Sequence, residues 1–355
     1  MIDWTAGMRQ WYEFWKVSPV SWTDIELLDN VSGASITRDL TNASLGSASY
    51  SLTDFSGEFY IRAYLCVEQN NETDKICLGT HLVQSPSTSY NGKYATVDAK
   101  AYTPLIELKE NYPPMFYTIP KGTELVNWIY NAVSDNSRIQ VRRDAAFEKV
   151  SKYDYIANTS DTWLDFIVSI MNQNEISYGI TPEGTFYIYE SYKYDRSPSV
   201  YEFRTDDNSI ILPNITYSQD VFEIPNVVEV YTSNSKGYNC VRIANNSGSA
   251  TSVAQRGREI VYRETSPSIT GIPSDEEIVN YANSLMESLS TIKVELSFSH
   301  GFIPGVNIGD TVLIDYPDAG IMSQKARIAS QDLDLQQGLI VSSTALFEKK
   351  FWTRE

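Results

Sequence analysis

Few residues of this chain have the types and spacing that catalysis requires. Histidine is the commonest general base in enzymes, and the sequence contains only His81 and His300. It contains no HExxH segment, CxxC pair, GxSxG elbow, phosphate-binding P-loop or dinucleotide-binding glycine motif. The sequence therefore predicts no catalytic residue, no cofactor and no metal ligand. We interpret His300, which ends a strand beside Gly301, as a structural residue.

Carboxylates are numerous enough to leave one catalytic alternative open, a glycosidase-like pair. Two candidate pairs are Asp315 with Asp318 and Asp332 with Asp334. In the segment DLDL, the two aspartates share one strand face and the leucines take the other, as on a solvated sheet face. A structural role is favoured for both pairs, and a β-rich glycan hydrolase using an Asp/Glu pair remains the second alternative.

The three cysteines do not describe a disulfide framework, because they are few, odd in number and spread along the chain. They are Cys66, Cys77 and Cys240. Cys66 and Cys77 lie across a predicted hairpin, and whether they are adjacent stays open. Buried, reduced thiols are the favoured interpretation.

The charge balance is strongly acidic, with 28 Lys and Arg against 45 Asp and Glu and a formal net charge of −17. Nucleic-acid affinity depends mainly on cationic side chains, so this balance disfavours a DNA-gripping protein. It suits an acidic, soluble protein, or one lining a passage for a polyanion without holding it. No apolar run approaches the ~18 residues of a membrane span, and the first residues lack a secretory signal, so we expect cytoplasmic synthesis.

Aromatic residues are concentrated near the start of the chain. Trp4, Trp11, Trp15 and Trp22 are candidate interface residues, with core packing as the favoured alternative. The abundance of tyrosine and tryptophan also keeps open a receptor- or carbohydrate-binding module. Residues 10–17 are dense in strand formers and are predicted to form a strand.

The order of the predicted elements indicates a mainly β fold with an α+β insertion. Short strands fill residues 25–102 and resume after about 206, whereas the segment between them contains two helices, capped by Thr123 and near Ser160. We predict two similar β-barrel domains, a small α/β domain and a helix-containing excursion. The predicted boundaries are 1–102 for the first barrel, 103–205 for the inserted α/β domain, 206–240 with 290–355 for the second barrel, and 241–289 for the excursion.

The clearest local pattern begins at Ser274. Ser274 and Glu277 have the spacing of a capping box, and an apolar stripe follows at helical spacing. From Ile292 to His300 the apolar residues then alternate with polar ones, as in a half-buried strand. We expect Val227–Ser233 to pair in the same sheet system as this strand.

Several segments together resemble the hub portion of tailed-phage baseplate-hub proteins, also called tail-associated or tail-tip hub proteins. The segment from EFYIRAYLCVEQ through LGTHLV to KYATVDAKAY is similar to the first barrel of that family, and IPNVVEVYTS to the start of the second. SDTWLDFIVSIMNQNEISYGITPEGTFYIYE resembles the family's inserted α/β domain. In FIPGVNIGDTVLIDYP, the residues Pro304, Gly305, Gly309 and Asp310 occupy the matching positions of a family turn.

The resemblance implies a structural virion protein of tube-type barrels that forms a homotrimer with a pseudo-six-fold ring. It implies a tail-tip or baseplate location, where the hub adapts a six-fold tail tube to a three-fold tip and lines the DNA conduit. The implied partners are further copies of the chain, the distal tail or tail-tube ring, the tape-measure protein, and a central fibre, spike or receptor-binding protein. DNA is expected to pass without specific binding.

Overall fold

The computed structural model describes most of the chain in two units. The described residues are 2–4, 6–55, 57–92, 94–191, 197–206, 209–234, 237–245, 248–267, 274–336 and 338–352. Unit 1 comprises Met1–Asn214 with Phe298–Thr344, and unit 2 comprises Ile215–Ser297 with Ala345–Glu355. Strands predominate in both units, which confirms a mainly β fold.

Unit 1 contains most of the strands. These are β1 Arg9–Val17, β2 Asp24–Leu28, β3 Val31–Asp39, β4 Gly46–Leu52, β5 Phe59–Gln69, β6 Glu72–Asn91, β7 Tyr94–Tyr102, β8 Thr118–Ile119, β9 Gln140–Val141, β10 Tyr155–Ile156, β11 Ile176–Ile180, β12 Thr185–Glu190, β13 Tyr201–Arg204, and later β19 Thr311–Tyr316 and β20 Ile321–Asp334. Three strands run through residues of both units: β14 Ile211–Ser218, β18 Thr291–Gly301 and β21 Ile340–Lys350. Unit 2 adds β15 Val227–Asn234, β16 Gly237–Ala244 and β17 Val261–Glu264.

The largest sheet joins strands from both ends of the chain. Its order is β14-β18-β21-β20-β3-β4-β7-β6-β5-β1-β2, with β19 on β20 and β13 on β19. β20 pairs antiparallel with β3, so that Leu333 lies opposite Ile36. Both side chains are buried in one apolar core with residues of β4, β5 and β7.

The expectation of two closed barrels is not confirmed. Among the described residues, the hydrogen-bonded order is an open series that begins at β14 and ends at β2. Because β3 pairs with β4 on one side and β20 on the other, strands assigned to the two predicted barrels lie in one continuous sheet.

Residues 103–191 contain three helices and two small sheets. The helices are α1 Ile106–Lys109, α2 Leu125–Asn136 and α3 Trp163–Gln173. They bury Ile129 and Ile167 in one core with Phe186 of the sheet β11-β12-β9. The predicted helices are present, but their caps differ: Glu124, not Thr123, caps α2, and Thr162, two residues after Ser160, caps α3.

Unit 2 consists of a three-stranded sheet and a helix that packs on it. The sheet order is β16-β15-β17, and the helices are α4 Val253–Arg256 and α5 Asp275–Leu289. Ile278, Ala282 and Met286 of α5 pack against Val228 and Val230 of β15. The predicted capping box of Ser274 and Glu277 is present at the start of α5.

The expected pairing of Val227–Ser233 with Ile292–His300 is wrong. The first segment belongs to β15, whose neighbours are β16 and β17, whereas the second belongs to β18 of the large sheet. β15 pairs with β16 along its whole length, and its Val227–Val230 half pairs in parallel with β17 on the other edge. The predicted alternation in β18 itself is confirmed, with Val294, Leu296, Phe298 and His300 buried.

No helix within the described residues is long and apolar enough to cross a membrane.

Candidate functional site

The four residues of the family-like motif lie in one turn. Residues 302–310, called here the 302–310 turn, connect β18 to β19. Gly305 and Gly309 have φ angles of 88° and 89°, in the left-handed region that glycine enters without steric cost. Asp310 closes the turn by accepting a hydrogen bond from the Asn307 amide at 2.8 Å. Burial raises the pKa of the Asp310 carboxyl above its usual range.

A half-buried arginine, Arg38, holds this turn in place. Nη1 of Arg38 donates to Oδ1 of Asn307 at 3.1 Å and to Oε1 of Gln331 at 3.0 Å. Its Nη2 donates to the carbonyl of Leu78 at 2.7 Å, and Nε2 of Gln331 donates to the carbonyl of Val306 at 3.2 Å. Arg38 thus links β3, β6 and β20 to the turn. Burial of the guanidinium lowers the pKa of Arg38 to about 10.

Arg38 borders two cavities. One of about 250 Å³, called here the Arg38 cavity, is also lined by His81, Arg142, Tyr187 and Tyr189. The other, of about 390 Å³, is lined by Arg38, Cys77, Lys75 and the turn residues Pro304 and Gly305. The 302–310 turn, which contains the sequence motif, therefore forms part of the wall of the 390 Å³ cavity.

His81 is buried beside Arg38 and is uncharged. Its Nδ1 lies 3.0 Å from the hydroxyl of Tyr50. Burial and the nearby Arg38 charge lower the pKa of His81 to about 3. Gly79 leaves room for the imidazole, since a Cβ there would lie 2.5 Å from Cε1 of His81. The ring is thus packed as a neutral hydrogen-bonding group.

Two tyrosines of β12 form the opposite wall of the Arg38 cavity. The rings of Tyr187 and Tyr189 stack with centroids 6.0 Å apart. The Arg142 guanidinium lies 4.6 Å from the centre of the Tyr187 ring, and Nη2 of Arg327 donates to the Tyr189 hydroxyl at 3.1 Å. The same two tyrosines also line a cavity of about 570 Å³ with Gly309 and Asp310.

Trp11 and Trp15 lie on one face of β1 and share a carboxylate. The Nε1 groups of both indoles donate to Glu13, at 3.4 Å and 2.9 Å. The ammonium of Lys75 lies 2.9 Å from Glu13 and 4.4 Å from the centre of the Trp15 ring. Hydrogen bonds from Trp15 and Lys75 lower the pKa of Glu13 to about 2.

Trp4 and Trp22 lie elsewhere. Trp4 packs edge-on against Phe302, at the start of the 302–310 turn, with ring centroids 5.9 Å apart. Trp22 is buried against Tyr60, and its Nε1 donates to the Arg138 carbonyl at 2.6 Å. The structure therefore does not bring the four tryptophans together, and Trp22 is a core residue.

The carboxylate pairs show ordinary surface roles. Asp332 and Asp334 are exposed on β20, and Oδ1 of Asp332 accepts a hydrogen bond from Thr37 at 2.6 Å. Asp315 accepts one from the amide of Ser323 at 3.0 Å. His300 is buried, with Nε2 2.9 Å from the Ser343 hydroxyl. In the described part of the chain, no three His, Cys, Asp or Glu side chains are grouped to hold a metal ion.

The polar residues around Arg38 had no clear signal in the sequence. Arg38 and Asn307 are 269 positions apart, so their contact depends on the β3–β20 pairing. Tyr187 and Tyr189 offered a weaker signal, because residues two apart in a strand share a face. That pattern predicts a common face without predicting which side chains lie opposite.

The fold is similar to that of phage tail proteins and of a chain in a PdpA–VgrG complex. A tail protein from Neisseria meningitidis superimposes with a TM-score of 0.62 and 12% identity, covering 95% of this chain and 96% of that one. The 43 kDa tail protein of prophage MuSo2 from Shewanella oneidensis gives 0.62 and 11%, covering 95% and 98%. A chain of the Francisella PdpA–VgrG complex gives 0.55 and 9%, covering 98% of this chain but 54% of that one.

These likenesses confirm, at the level of the fold, the resemblance to phage tail proteins inferred from the sequence. No protein-family model matches the sequence. No curated protein matches it either.

Proposed function

We propose that this chain is a structural protein of a phage tail. The observation that carries the proposal is the correspondence of the fold with two tail proteins over at least 95% of each chain. A match over whole chains argues for a shared role more strongly than a match of one common β module. The similar proteins are structural tail components, which fits a role without catalysis.

Within the tail, we assign the chain to a trimeric hub at the tip or baseplate. A hub with two similar domains in each of three copies offers six similar faces to a six-fold tube and three-fold symmetry to a fibre or spike. In this assignment the neighbours are the distal tail or tail-tube ring, the tape-measure protein and the central fibre or receptor-binding protein.

An edge strand gives this self-association a physical basis. β2 is the last strand in the order of the large sheet, and it exposes Ile25 at 57% and Leu27 at 51%. A free edge with apolar side chains is a template for strand addition, which natural proteins normally block with charge or cover. In the proposed trimer, a second copy of the chain covers this edge.

The charge supports passage of DNA without retention. A net charge of −17 repels phosphates, and each copy in a ring adds the same sign. A conduit wall of this kind guides a polyanion without binding it.

The test is the mass of the purified chain in solution combined with electron-microscope projections. The proposal predicts a trimer, with rings of three-fold or pseudo-six-fold symmetry, in isolated protein or in tails that contain it. A monomer at all concentrations, together with tails in which labelled protein is absent from the tip, would contradict the hub assignment.

The other candidates are separated by different measurements. A carbohydrate-binding module predicts binding of the isolated chain on a glycan array, but Lys75 already covers the Trp15 ring and Glu13 engages both indole N–H groups. A glycan hydrolase predicts capsule or peptidoglycan degradation that an Asp332→Asn or Asp315→Asn change abolishes.

A further inference from the structure

Arg38 is a half-buried cation that forms no ion pair with a carboxylate of the described residues. Its three hydrogen-bond acceptors are two side-chain amides and a backbone carbonyl, all neutral. Arg62 of β5, whose side chain is buried, has Asp24 at 2.9 Å. A charge held partly out of water is costly unless it is paired, so Arg38, which lacks an ion pair, is the candidate for an external partner.

The nearest groups do not pair with Arg38. Glu183 lines the 390 Å³ cavity together with Arg38, but it forms no ion pair with the guanidinium. Burial raises the pKa of the Cys77 thiol to about 12, so Cys77 is neutral beside Arg38 at ordinary pH. The described lining of the Arg38 cavity contains two arginines and a neutral histidine but no aspartate or glutamate. Arg142, the second arginine, has its own partner in Asp144 at 2.8 Å.

Arg38 also has hydrogen-bonding capacity left. A guanidinium carries five N–H donors, and three are used by Asn307, Gln331 and Leu78. The Nε–H and one Nη2–H remain. Among the described residues, Nε of Arg38 is not one of the fully buried polar atoms that lack a hydrogen-bond partner. His81 adds a donor when the Tyr50 phenol donates to Nδ1, since the neutral ring then carries its proton on Nε2.

We propose that the Arg38 cavity binds a small oxyanion of the phosphate or carboxylate class. The Nε–H and Nη2–H of Arg38 hold the oxygens, with His81 as a neutral second donor. Guanidinium groups suit such planar, paired recognition of oxyanions. The cavity volume of about 250 Å³ accommodates one such group. The bound oxyanion compensates the unpaired charge of Arg38 and stabilises the 302–310 turn through it.

The first experiment is calorimetric titration of the wild-type chain with inorganic phosphate, against sodium chloride at equal ionic strength. We expect one saturable site per chain for phosphate and none for chloride. Absence of saturable phosphate binding, or equal behaviour in chloride, overturns the proposal without any variant being needed.

The variants locate the site. Arg38→Gln and Arg38→Lys should each weaken phosphate binding about tenfold or more. Gln removes the charge, and Lys removes the two parallel N–H donors of the guanidinium. Arg9→Gln removes the same charge from an exposed position of unit 1 and should leave binding unchanged. Equal affinity in the wild type and both Arg38 variants also overturns the assignment.

Two sources can supply the oxyanion: a free ion in solution, or a carboxylate of a second copy of the chain. The oligomeric state distinguishes them. Saturable phosphate binding by dilute monomer identifies a free oxyanion as the ligand. If phosphate instead dissociates an oligomer, and Arg38→Gln dissociates it without phosphate, the ligand is a carboxylate of a second copy. Either outcome is independent of whether tail tips contain the protein.

Discussion

His81 couples the stability of unit 1 to pH. The side chain is 3% exposed, and it lies in the same cavity lining as Arg38. Protonation would place a second positive charge beside the Arg38 guanidinium, so both desolvation of the buried imidazole and charge repulsion oppose it. The pKa of His81 is accordingly lowered to about 3, and the imidazole contributes as a neutral partner of Tyr50.

The lowered pKa predicts an acid-sensitive stability term. In the unfolded chain His81 binds a proton below about pH 6.5, whereas in the folded chain it does so only near pH 3, so the unfolded state takes up more protons in between. The stability from this group is complete above pH 6.5. It falls by about 1.4 kcal/mol per pH unit as the pH drops toward 3.

Urea unfolding of the wild type and His81→Gln at pH 8, 6 and 4.5 measures this term. The variant is expected to lose less stability than the wild type between pH 8 and 4.5, whatever its starting stability at pH 8. Parallel curves for the two proteins would show that His81 does not carry the dependence.

At the scale of elements, the start of α3 shows how a helix selects its cap. Thr162 has the extended backbone of a cap residue, and its hydroxyl accepts from the Asp165 amide at 3.2 Å. Asp165 in turn accepts from the Thr162 amide at 3.2 Å, which completes a capping box. Ser160 lies two residues earlier and is exposed, so it has no part in the cap.

This geometry predicts a difference between two similar substitutions. Thr162→Ala should lower the free energy of unfolding by about 1 kcal/mol, because an amide at the helix start loses its acceptor. Ser160→Ala should change it little, and Thr162→Ser should retain most of the wild-type value. Urea midpoints of the three variants decide between the caps, and an equal loss in both alanine variants would contradict this one.

What the sequence predicts well is local in origin. The capping box at Ser274 and the alternation along β18 depend on residues within a few positions of each other, and both patterns are present. The cap of α3 is predicted only as near Ser160, and the cause is local too, since SDTWLD contains four residues of the types that cap helices.

Long-range pairing could not be predicted in the same way. Alternation indicates that a segment is a strand, but it does not specify the neighbouring strand. Thus β20 pairs with β3 near the other end of the chain, and β15 joins a separate sheet. Arg38 contacts Asn307 only because β3 and β20 pair. Local sequence patterns therefore could not predict the Arg38 cavity.

At the scale of the whole molecule, the strong like charge of the copies opposes association, whereas the β2 edge, which is unpaired among the described residues, favours it. Copies carrying −17 repel each other at low ionic strength, whereas the apolar side chains of β2 favour strand addition. Because salt screens the repulsion but leaves apolar burial intact, association of copies should strengthen as ionic strength rises.

Leu27→Lys tests the β2 edge directly. Leu27 is 51% exposed, so the substitution fills no core space and should leave the fold intact, while a charge on the edge opposes strand addition. We expect the dissociation constant for self-association, measured by analytical ultracentrifugation at about 0.5 M salt, to rise roughly tenfold or more. Met322→Lys makes the same charge change at a residue of β20 that is 70% exposed, and it should leave association unchanged. If both lysine variants assemble as the wild type does, with unchanged circular dichroism, then β2 is not the surface through which copies join.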